Sequence, residues 1–147
     1  MMHDIVIVAD CGATNITVSA VDTQGNFIKS ASSPNAPTNQ PGKGPSYFIW
    51  DIDTIWGKIC DSCREVCSRI DAARIKAVVV TTFGADGTFL DAGGNPVYPV
   101  ISWQDTRTEE TIEDIAALID TRDIYGITGY NLIRFNTMLR FLWLHTH

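Results

Sequence analysis

The sequence predicts an α/β fold in which a mixed sheet, opened by antiparallel hairpins, is flanked by helices. The first 31 residues contain three short strand-like runs separated by two turn sequences. After residue 51 the apolar residues take up helical spacing, and a run of β-branched residues follows at 75–81. With 147 residues, of which 45% are hydrophobic, the chain is long enough to bury one core, so we expect a single globular domain.

The first three strands are predicted from the runs on either side of the two turns. Residues 5–9 form a buried-looking apolar run, and residues 16–21 continue as a second strand after a glycine turn. A turn at 23–26 then leads into a third strand at 27–31. The stretch 33–46 is rich in Pro, Gly, Asn and Ser and poor in apolar residues, which predicts a long surface loop.

A helix carrying three cysteines is predicted between residues 52 and 70, with Asp51 or Asp53 as its cap. The spacing Cys60-x-x-Cys63-x-x-x-Cys67 is also that of a metal or iron–sulfur clip. These cysteines share the apolar face, however, and free cysteine behaves as a small buried hydrophobe, so we expect a structural role. We expect Cys11 to be a packing residue as well. Nothing indicates disulfides, which agrees with a reducing compartment.

The later part of the chain predicts one more strand, a hairpin and two helices. Residues 75–81 are β-branched and predict a buried strand, and residues 89–98 predict a hairpin with its turn at 93–96. The first helix has Ile112, Ile115, Ala116 and Ile119 in register, and the last is capped by Asn136 and carries Met138, Leu139 and Leu142.

The turn after the first strand has the composition of a phosphate site. Asp10 follows the apolar run, and Gly12 lets the backbone approach phosphate oxygens, with turn amides and the Thr14 hydroxyl as donors. A carboxylate here can hold the Mg²⁺ that neutralises phosphate charge. The alternative is an ordinary hairpin in which Asp10 fixes the turn by a hydrogen bond to the backbone.

Composition excludes several classes of function. The net charge of -6 and the pI near 4.8 argue against nucleic-acid binding, which needs a basic surface. No apolar stretch approaches the roughly 18 residues of a membrane span, and the first apolar run is too short for a signal peptide. We therefore expect a cytoplasmic protein with no membrane partner.

Two motifs together resemble a known family. The paired hairpins with an acidic glycine turn resemble the opening of the actin-like ATPase domain, which has a ribonuclease H-like fold and is shared by sugar kinases, hexokinases and actin. The segment 101–107, with Trp103, Asp105 and Arg107, is similar to the Trp-x-Asp-x-Arg motif of the FGGY carbohydrate kinases. Segments 10–15 and 80–87 resemble the L-fuculokinase branch most closely. The resemblance runs from Ile5 to Leu144.

The resemblance implies an ATP and Mg²⁺ site at the first turn. Asp10 would position the metal through water, and the β- and γ-phosphates would be bound by the turn residues Gly12, Ala13, Thr14 and Asn15. The chain departs from the family pattern at two positions, since Thr is usual where Ala13 stands and Arg is frequent where Thr17 stands. An arginine there would give a bidentate phosphate contact, so this departure bears on how the site stabilises phosphoryl charge.

The resemblance also implies a sugar site farther along the chain. Trp103 would offer an apolar face to the C–H surface of a sugar, with core packing as the alternative. For Asp105 and Arg107 the alternative is a helix cap and a surface charge pair. The implied sugar-contacting residues are Gly84, Ala85, Asp86, Trp103, Asp105, Arg107 and Phe135.

The implied reaction is transfer of the γ-phosphoryl group of ATP to a ketose hydroxyl, with L-fuculose, giving L-fuculose 1-phosphate, as the expected substrate. L-rhamnulose or another ketose is the alternative within the class. The aspartate base of the family would lie beyond the matched region, so residues 1–147 are expected to be a partial N-terminal kinase domain without a catalytic residue. Its partners would be ATP, the sugar and the remainder of its own chain. An apolar face left for that remainder would favour homo-oligomers. A non-catalytic sugar- or phosphate-binding module is the alternative of a different class.

Overall fold

The computed structural model of the chain describes residues 3–147 and divides them into two compact units. The first contains the chain up to Ala36 together with Asp51–Gly84. The second contains Pro37–Trp50 and Ala85–His147. Each unit has its own apolar cluster, so the single core expected from chain length is divided. None of the helices in the described part of the chain is long and apolar enough to cross a membrane.

The first unit is built on a four-stranded mixed sheet. Its strands are β1 (Ile5–Cys11), β2 (Asn15–Asp22), β3 (Phe27–Pro34) and β6 (Ile75–Thr81). They lie in the order β3-β2-β1-β6. The first three strands are joined by hairpins and run antiparallel, whereas β6 lies parallel to β1. The mixed sheet opened by antiparallel hairpins is therefore confirmed.

Helix α1 (Ile52–Cys67) covers one face of this sheet. It begins at Asp51, whose side chain accepts the Thr54 N–H, as one of the two predicted caps. Cys63 and Cys67 pack against the core formed by β1 and β2, which confirms a packing role for these two cysteines. The pKa of the Cys63 thiol is raised, chiefly by burial and to a smaller extent by the neighbouring thiols. Ile52 and Trp56, predicted to share the apolar face, are instead exposed.

Strand β6 is found where it was predicted, but its predicted burial is wrong. It lies at the edge of the sheet, and Val78, Val79 and Val80 are 65%, 50% and 62% exposed. Because successive strand residues point to opposite faces, the exposure of all three shows that neither face of this strand is covered. The β-branched run specified a strand, and the position of that strand in the sheet decided its exposure.

The second unit contains a small three-stranded sheet and three helices. The short strand β4 (Thr38–Asn39) pairs with β5 (Phe48–Trp50), which in turn pairs with β7 (Val100–Ile101). Strand β4 lies within the stretch that was predicted as a long surface loop. The predicted 89–98 hairpin is reduced to a single bridge between Leu90 and Pro96.

Three helices follow the motif at 103–107, one more than predicted. A 3₁₀ turn (Arg107–Thr111) precedes α2 (Ile112–Leu118), α3 (Thr121–Thr128) was not predicted, and α4 (Thr137–Thr146) ends the described chain. Their core is Ile115, Ile124 and Leu139. Asn136 stands at the predicted cap of α4, although its side-chain oxygen accepts the N–H of Ile133 rather than an N–H of the helix.

Candidate functional site: a phosphate turn and a sugar-side cluster

Asp10 lies near the end of β1, between Thr17 of β2 and Thr81 of β6, and is exposed. Other aspartates of this chain fix turns or helix starts by accepting a backbone N–H two or three residues later: Asp22, Asp51, Asp71, Asp91, Asp105 and Asp120. Among residues 3–147, no such bond to Asp10 is found. The alternative role of Asp10 in fixing the turn is therefore not seen, and its carboxylate remains available to a ligand.

The turn after Asp10 is closed and braced from within the first unit. The N–H of Gly12 donates to the carbonyl of Asn15 at 2.9 Å. Buried Asn35 donates its side-chain amide to the Gly12 carbonyl at 2.9 Å and its backbone N–H to the Thr14 carbonyl at 2.7 Å. A Cβ at position 12 would stand 2.9 Å from the Asn15 carbonyl oxygen, so the turn requires glycine there.

This bracing decides which donors of the turn remain for a ligand. The Gly12 N–H is used inside the turn, whereas within the described chain the N–H groups of Ala13 and Thr14 donate to no carbonyl. Beside them, the Cys11 thiol is buried, and that burial, with the charge of Asp10, raises its pKa. A thiol held protonated in this way is unsuited to nucleophilic attack, in agreement with the predicted packing role.

In the second unit, Asp86 is the centre of a buried polar cluster. Its side chain is 0% exposed and pairs with that of Arg140, which is 4% exposed, at 2.8 Å between Oδ1 and Nη2. Its other oxygen, Oδ2, accepts the Trp50 Nε1–H at 2.5 Å and the Trp103 backbone N–H at 3.1 Å. Three protein donors thus occupy the carboxylate that was predicted to bind sugar hydroxyls.

A second buried pair joins Asp105 and Arg107. Both side chains are 1% exposed, and Arg107 Nη2 lies 2.7 Å from Asp105 Oδ2. The guanidinium also donates to Gln40 and Tyr98 and lies over the Tyr47 ring at 4.2 Å from its centroid. The pair is therefore not the surface charge pair considered as an alternative.

Trp103 and the half-buried Phe135 form an aromatic pair in this unit. Trp103 is 38% exposed, and its ring packs edge-on against the ring of Phe135, with the two centroids 6.5 Å apart. Core packing of Trp103, the alternative considered above, is therefore incomplete. Phe135 also lines an open groove of about 440 Å³ together with Ile112, Leu132 and neighbouring residues.

The loop at 84–86 passes from one unit to the other, since Gly84 belongs to the first and Ala85 to the second. Gly84 is exposed with open space around its Cα, and the Ala85 carbonyl accepts a hydrogen bond from Arg140 Nη1. Arg140, Trp50 and Asn35 were not predicted as site residues. For Arg140 a signal was present, since it stands between the apolar residues 138–139 and 141–144 of α4, and a cation in such a run indicates a buried partner.

Comparison with known proteins now identifies the family. Residues 5–147 match the N-terminal domain of the FGGY family of carbohydrate kinases. The chain belongs to this family. The prediction drawn from the first turn and the Trp-x-Asp-x-Arg motif is thereby confirmed at the level of the family.

Individual FGGY relatives agree with this assignment. L-fuculokinase of Escherichia coli strain K12 is 36% identical over 144 residues, which are 98% of this chain and 30% of that protein. Rhamnulokinase of Klebsiella pneumoniae is 30% identical over 101 residues, covering 69% of this chain and 20% of the relative. A crystal structure of Plasmodium falciparum glycerol kinase with ADP has a TM-score of 0.81 and 20% identity, over 99% of this chain and 29% of that one. The predicted actin-like ATPase fold is thereby confirmed.

The Mg²⁺ expected for an FGGY kinase fits the residues of the turn. No cluster of three or more His, Cys, Asp or Glu side chains is found within residues 3–147, so a metal cage made by protein alone is absent from that part. Magnesium bound to nucleotides uses one or two carboxylates together with phosphate oxygens and waters. The single available carboxylate of Asp10 is the donor that such an arrangement needs.

Proposed function

We propose that this chain is part of an ATP-dependent ketose kinase, with the phosphates bound at the 10–15 turn and the sugar bound by the second unit. The observation that carries the proposal is Asp10 near the end of β1, whose carboxylate is unpaired within the described chain, while six other aspartates are used in turns and caps. The chain spans 30% of the length of its L-fuculokinase relative, so the activity is proposed for the protein at its full cellular length.

On the phosphate side, we propose that the N–H groups of Ala13 and Thr14 and the side chains of Thr14 and Asn15 donate to phosphate oxygens. Gly12 contributes shape, since its own N–H is occupied by the Asn15 carbonyl. Asp10 would hold Mg²⁺, which when bound spreads the negative charge of the transferring phosphoryl group. The ADP in the glycerol kinase structure supports a nucleotide as the phosphate donor.

On the sugar side, we propose that the exposed edge of Trp103 packs on the C–H surface of the sugar, beside Phe135 and the backbone at Gly84 and Ala85. The polar atoms of Asp86, Asp105 and Arg107 are engaged inside the protein, so direct contacts from them to sugar hydroxyls stay a prediction. Catalysis of phosphoryl transfer requires mainly that the protein position the reactants and stabilise charge, and these residues would position the sugar.

For the substrate we propose L-fuculose, phosphorylated to L-fuculose 1-phosphate. The support is the 36% identity with L-fuculokinase over 98% of the chain, against 30% over 69% with rhamnulokinase. The four free cysteines are consistent with a cytoplasmic enzyme. L-Rhamnulose remains the competing ketose.

The test is a substrate panel on the protein at the full length that its own cells make. L-Fuculose, L-rhamnulose and D-xylulose are incubated separately with ATP and Mg²⁺, and sugar phosphates are followed by phosphorus NMR. We expect the largest kcat/KM for L-fuculose. A larger value for another ketose refutes the substrate, and no sugar phosphate from any ketose refutes the kinase.

A further inference from the structure

The two buried ion pairs of the second unit differ in how completely their polar atoms are used. In the Asp105–Arg107 pair all three guanidinium nitrogens donate: Nε and Nη2 to Asp105, and Nη1 to Gln40 and Tyr98. In the Asp86–Arg140 pair, Nη1 and Nη2 donate, but Arg140 Nε is buried without a partner among residues 3–147.

This difference bears on what each pair does. Taking two charges out of water is expensive, and the attraction between them offsets that cost only when the remaining donors are satisfied. The Arg107 pair meets this condition and stacks on Tyr47 as well, as expected of a structural element. The Arg140 pair leaves a buried donor unsatisfied, which is an arrangement that folding stability alone does not favour.

The contacts of the Arg140 pair converge on the proposed sugar surface. Arg140 donates to the Ala85 carbonyl and to Asp86 Oδ1, and Asp86 Oδ2 accepts the backbone N–H of Trp103. Arg140 of α4 is therefore linked to the Trp103 backbone through the buried Asp86 side chain, and these hydrogen bonds are charge-assisted, which makes them stronger than bonds between neutral groups. Within residues 3–147 the Trp103 ring pairs with the ring of Phe135, so the backbone hydrogen bond of Trp103 matters for the position of the indole.

We propose that Arg140 and Asp86 are a positioning pair that fixes the Trp103 backbone and the Ala85 carbonyl, and thereby sets the sugar affinity of the second unit. The expected change in sugar affinity rests on the proposed sugar-binding function. The dependence of the Trp103 backbone on Arg140 is independent of that function. Neither residue contacts the sugar in this proposal, so the pair acts through Trp103.

The test uses the 147-residue chain with Arg140→Gln, which removes the charge and leaves two side-chain N–H donors, and Arg134→Gln as the matched control. Arg134 forms an exposed ion pair with Glu109 in the same unit, at 41% and 50% exposure. Amide hydrogen exchange is followed by NMR at Trp103 and at the core residues Ile124 and Leu139, and L-fuculose affinity is measured by calorimetry.

For Arg140→Gln we expect Trp103 amide exchange to accelerate about tenfold or more, with Ile124 and Leu139 much less affected, and L-fuculose affinity to fall about tenfold. Arg134→Gln should change neither. Equal acceleration at all three amides would mean that the pair only stabilises the fold, and it would overturn the proposal. Unchanged exchange at the Trp103 amide would also overturn it.

Two further outcomes are also decisive. If Arg140→Gln does not fold, Arg140→Lys takes its place. It retains the charge but offers one nitrogen where arginine uses two for Ala85 and Asp86, and it must reproduce the selective change at Trp103 or the proposal fails. If the unaltered chain binds no L-fuculose while Trp103 exchange responds selectively to Arg140, the expected effect on sugar affinity is refuted for this chain and the positioning of Trp103 by the pair stands. The substrate proposal is decided separately, by the panel on the protein at its full cellular length.

Discussion

Asp10 differs from Asp22, Asp51 and Asp71 of its unit because no hydrogen bond to its carboxylate is found within residues 3–147. Asp10→Asn therefore removes a ligand charge with no loss of a protein hydrogen bond. In the protein at its full cellular length we expect turnover to fall about a hundredfold, the size of effect that a preorganised charge contact has on a transition state. Affinity for the sugar and the urea midpoint of unfolding should stay as they are.

The matched control is Asp22→Asn in the next turn. Asp22 accepts the N–H groups of Gln24 and Asn26, and these bonds, chiefly those to Asn26, lower its pKa. This variant should lower the urea midpoint and leave turnover unchanged. A full rate for Asp10→Asn in a coupled assay would remove the proposed metal role.

The buried Arg107 gives a prediction on stability. Arg107→Ala leaves the Asp105 carboxylate in a fully buried position with only the Phe48 and Arg107 backbone N–H groups to balance it. Removing one partner of a buried pair costs about 3–5 kcal/mol of unfolding free energy. Arg134→Ala breaks an exposed pair and should cost less than about 1 kcal/mol. Urea unfolding of both variants checks this. Equal midpoints would show that the buried pair contributes no more to the unfolding free energy than the exposed pair does.

At the scale of elements, α1 depends on its cap. The Asp51 carboxylate accepts the Thr54 backbone N–H at 3.0 Å and the Thr54 hydroxyl at 2.8 Å, and these two bonds lower its pKa. Asp51→Ala should cost about 1 kcal/mol of unfolding free energy at neutral pH. Because the folded-state pKa lies below the unfolded value, the contribution is complete above the unfolded pKa and is lost as the pH falls through the folded one. Unfolding curves of parent and variant should therefore converge at low pH, and a constant gap between them down to pH 2 would contradict capping by the ionised carboxylate.

The elements also show what sequence could and could not predict. Turn residues and short apolar runs identified β1, β2, β3 and β6, because local chemistry determines a hairpin or a strand. The exposure of β6 was missed, since burial depends on neighbours that are distant in sequence. For the same reason the protein partners of Asp86 could not be predicted, since Trp50 and Arg140 lie 36 and 54 residues away from it.

The exposed edge at β6 gives a prediction on association. A parallel edge strand with exposed valines on both faces is a surface on which copies of a chain pair. We expect the 147-residue chain to self-associate with rising concentration, and Val78→Lys to reduce this association, because a charged side chain opposes pairing at a sheet edge. Sedimentation velocity measures it. Ile127→Lys, at the most exposed apolar residue of α3, is the control, and if it alone abolished association the surface would lie on that helix.

At the scale of the molecule, the chain combines the proposed phosphate turn at 10–15 with a proposed sugar-side cluster in which both carboxylates are engaged by protein donors. Asp86 bonds to Arg140, Trp50 and Trp103, and Asp105 bonds to Arg107 and Phe48. Neither is free to take a proton from a sugar hydroxyl. A general base contributes about 10²–10⁴-fold to a rate, and the positioning of both substrates contributes more.

We therefore expect the 147-residue chain alone to show no phosphotransfer from radiolabelled ATP to L-fuculose above the rate without protein. The protein at its full cellular length, which the kinase proposal requires to be active, is the positive control under the same conditions. Binding of L-fuculose by the shorter chain without turnover is compatible with this expectation, because binding needs Trp103 and its supports, whereas transfer needs a base as well. Labelled sugar phosphate formed by the 147-residue chain would contradict it and would place a base within these residues. Asp86→Asn is then the first variant to examine, since loss of that activity would mean that the Arg140 pair opens during turnover.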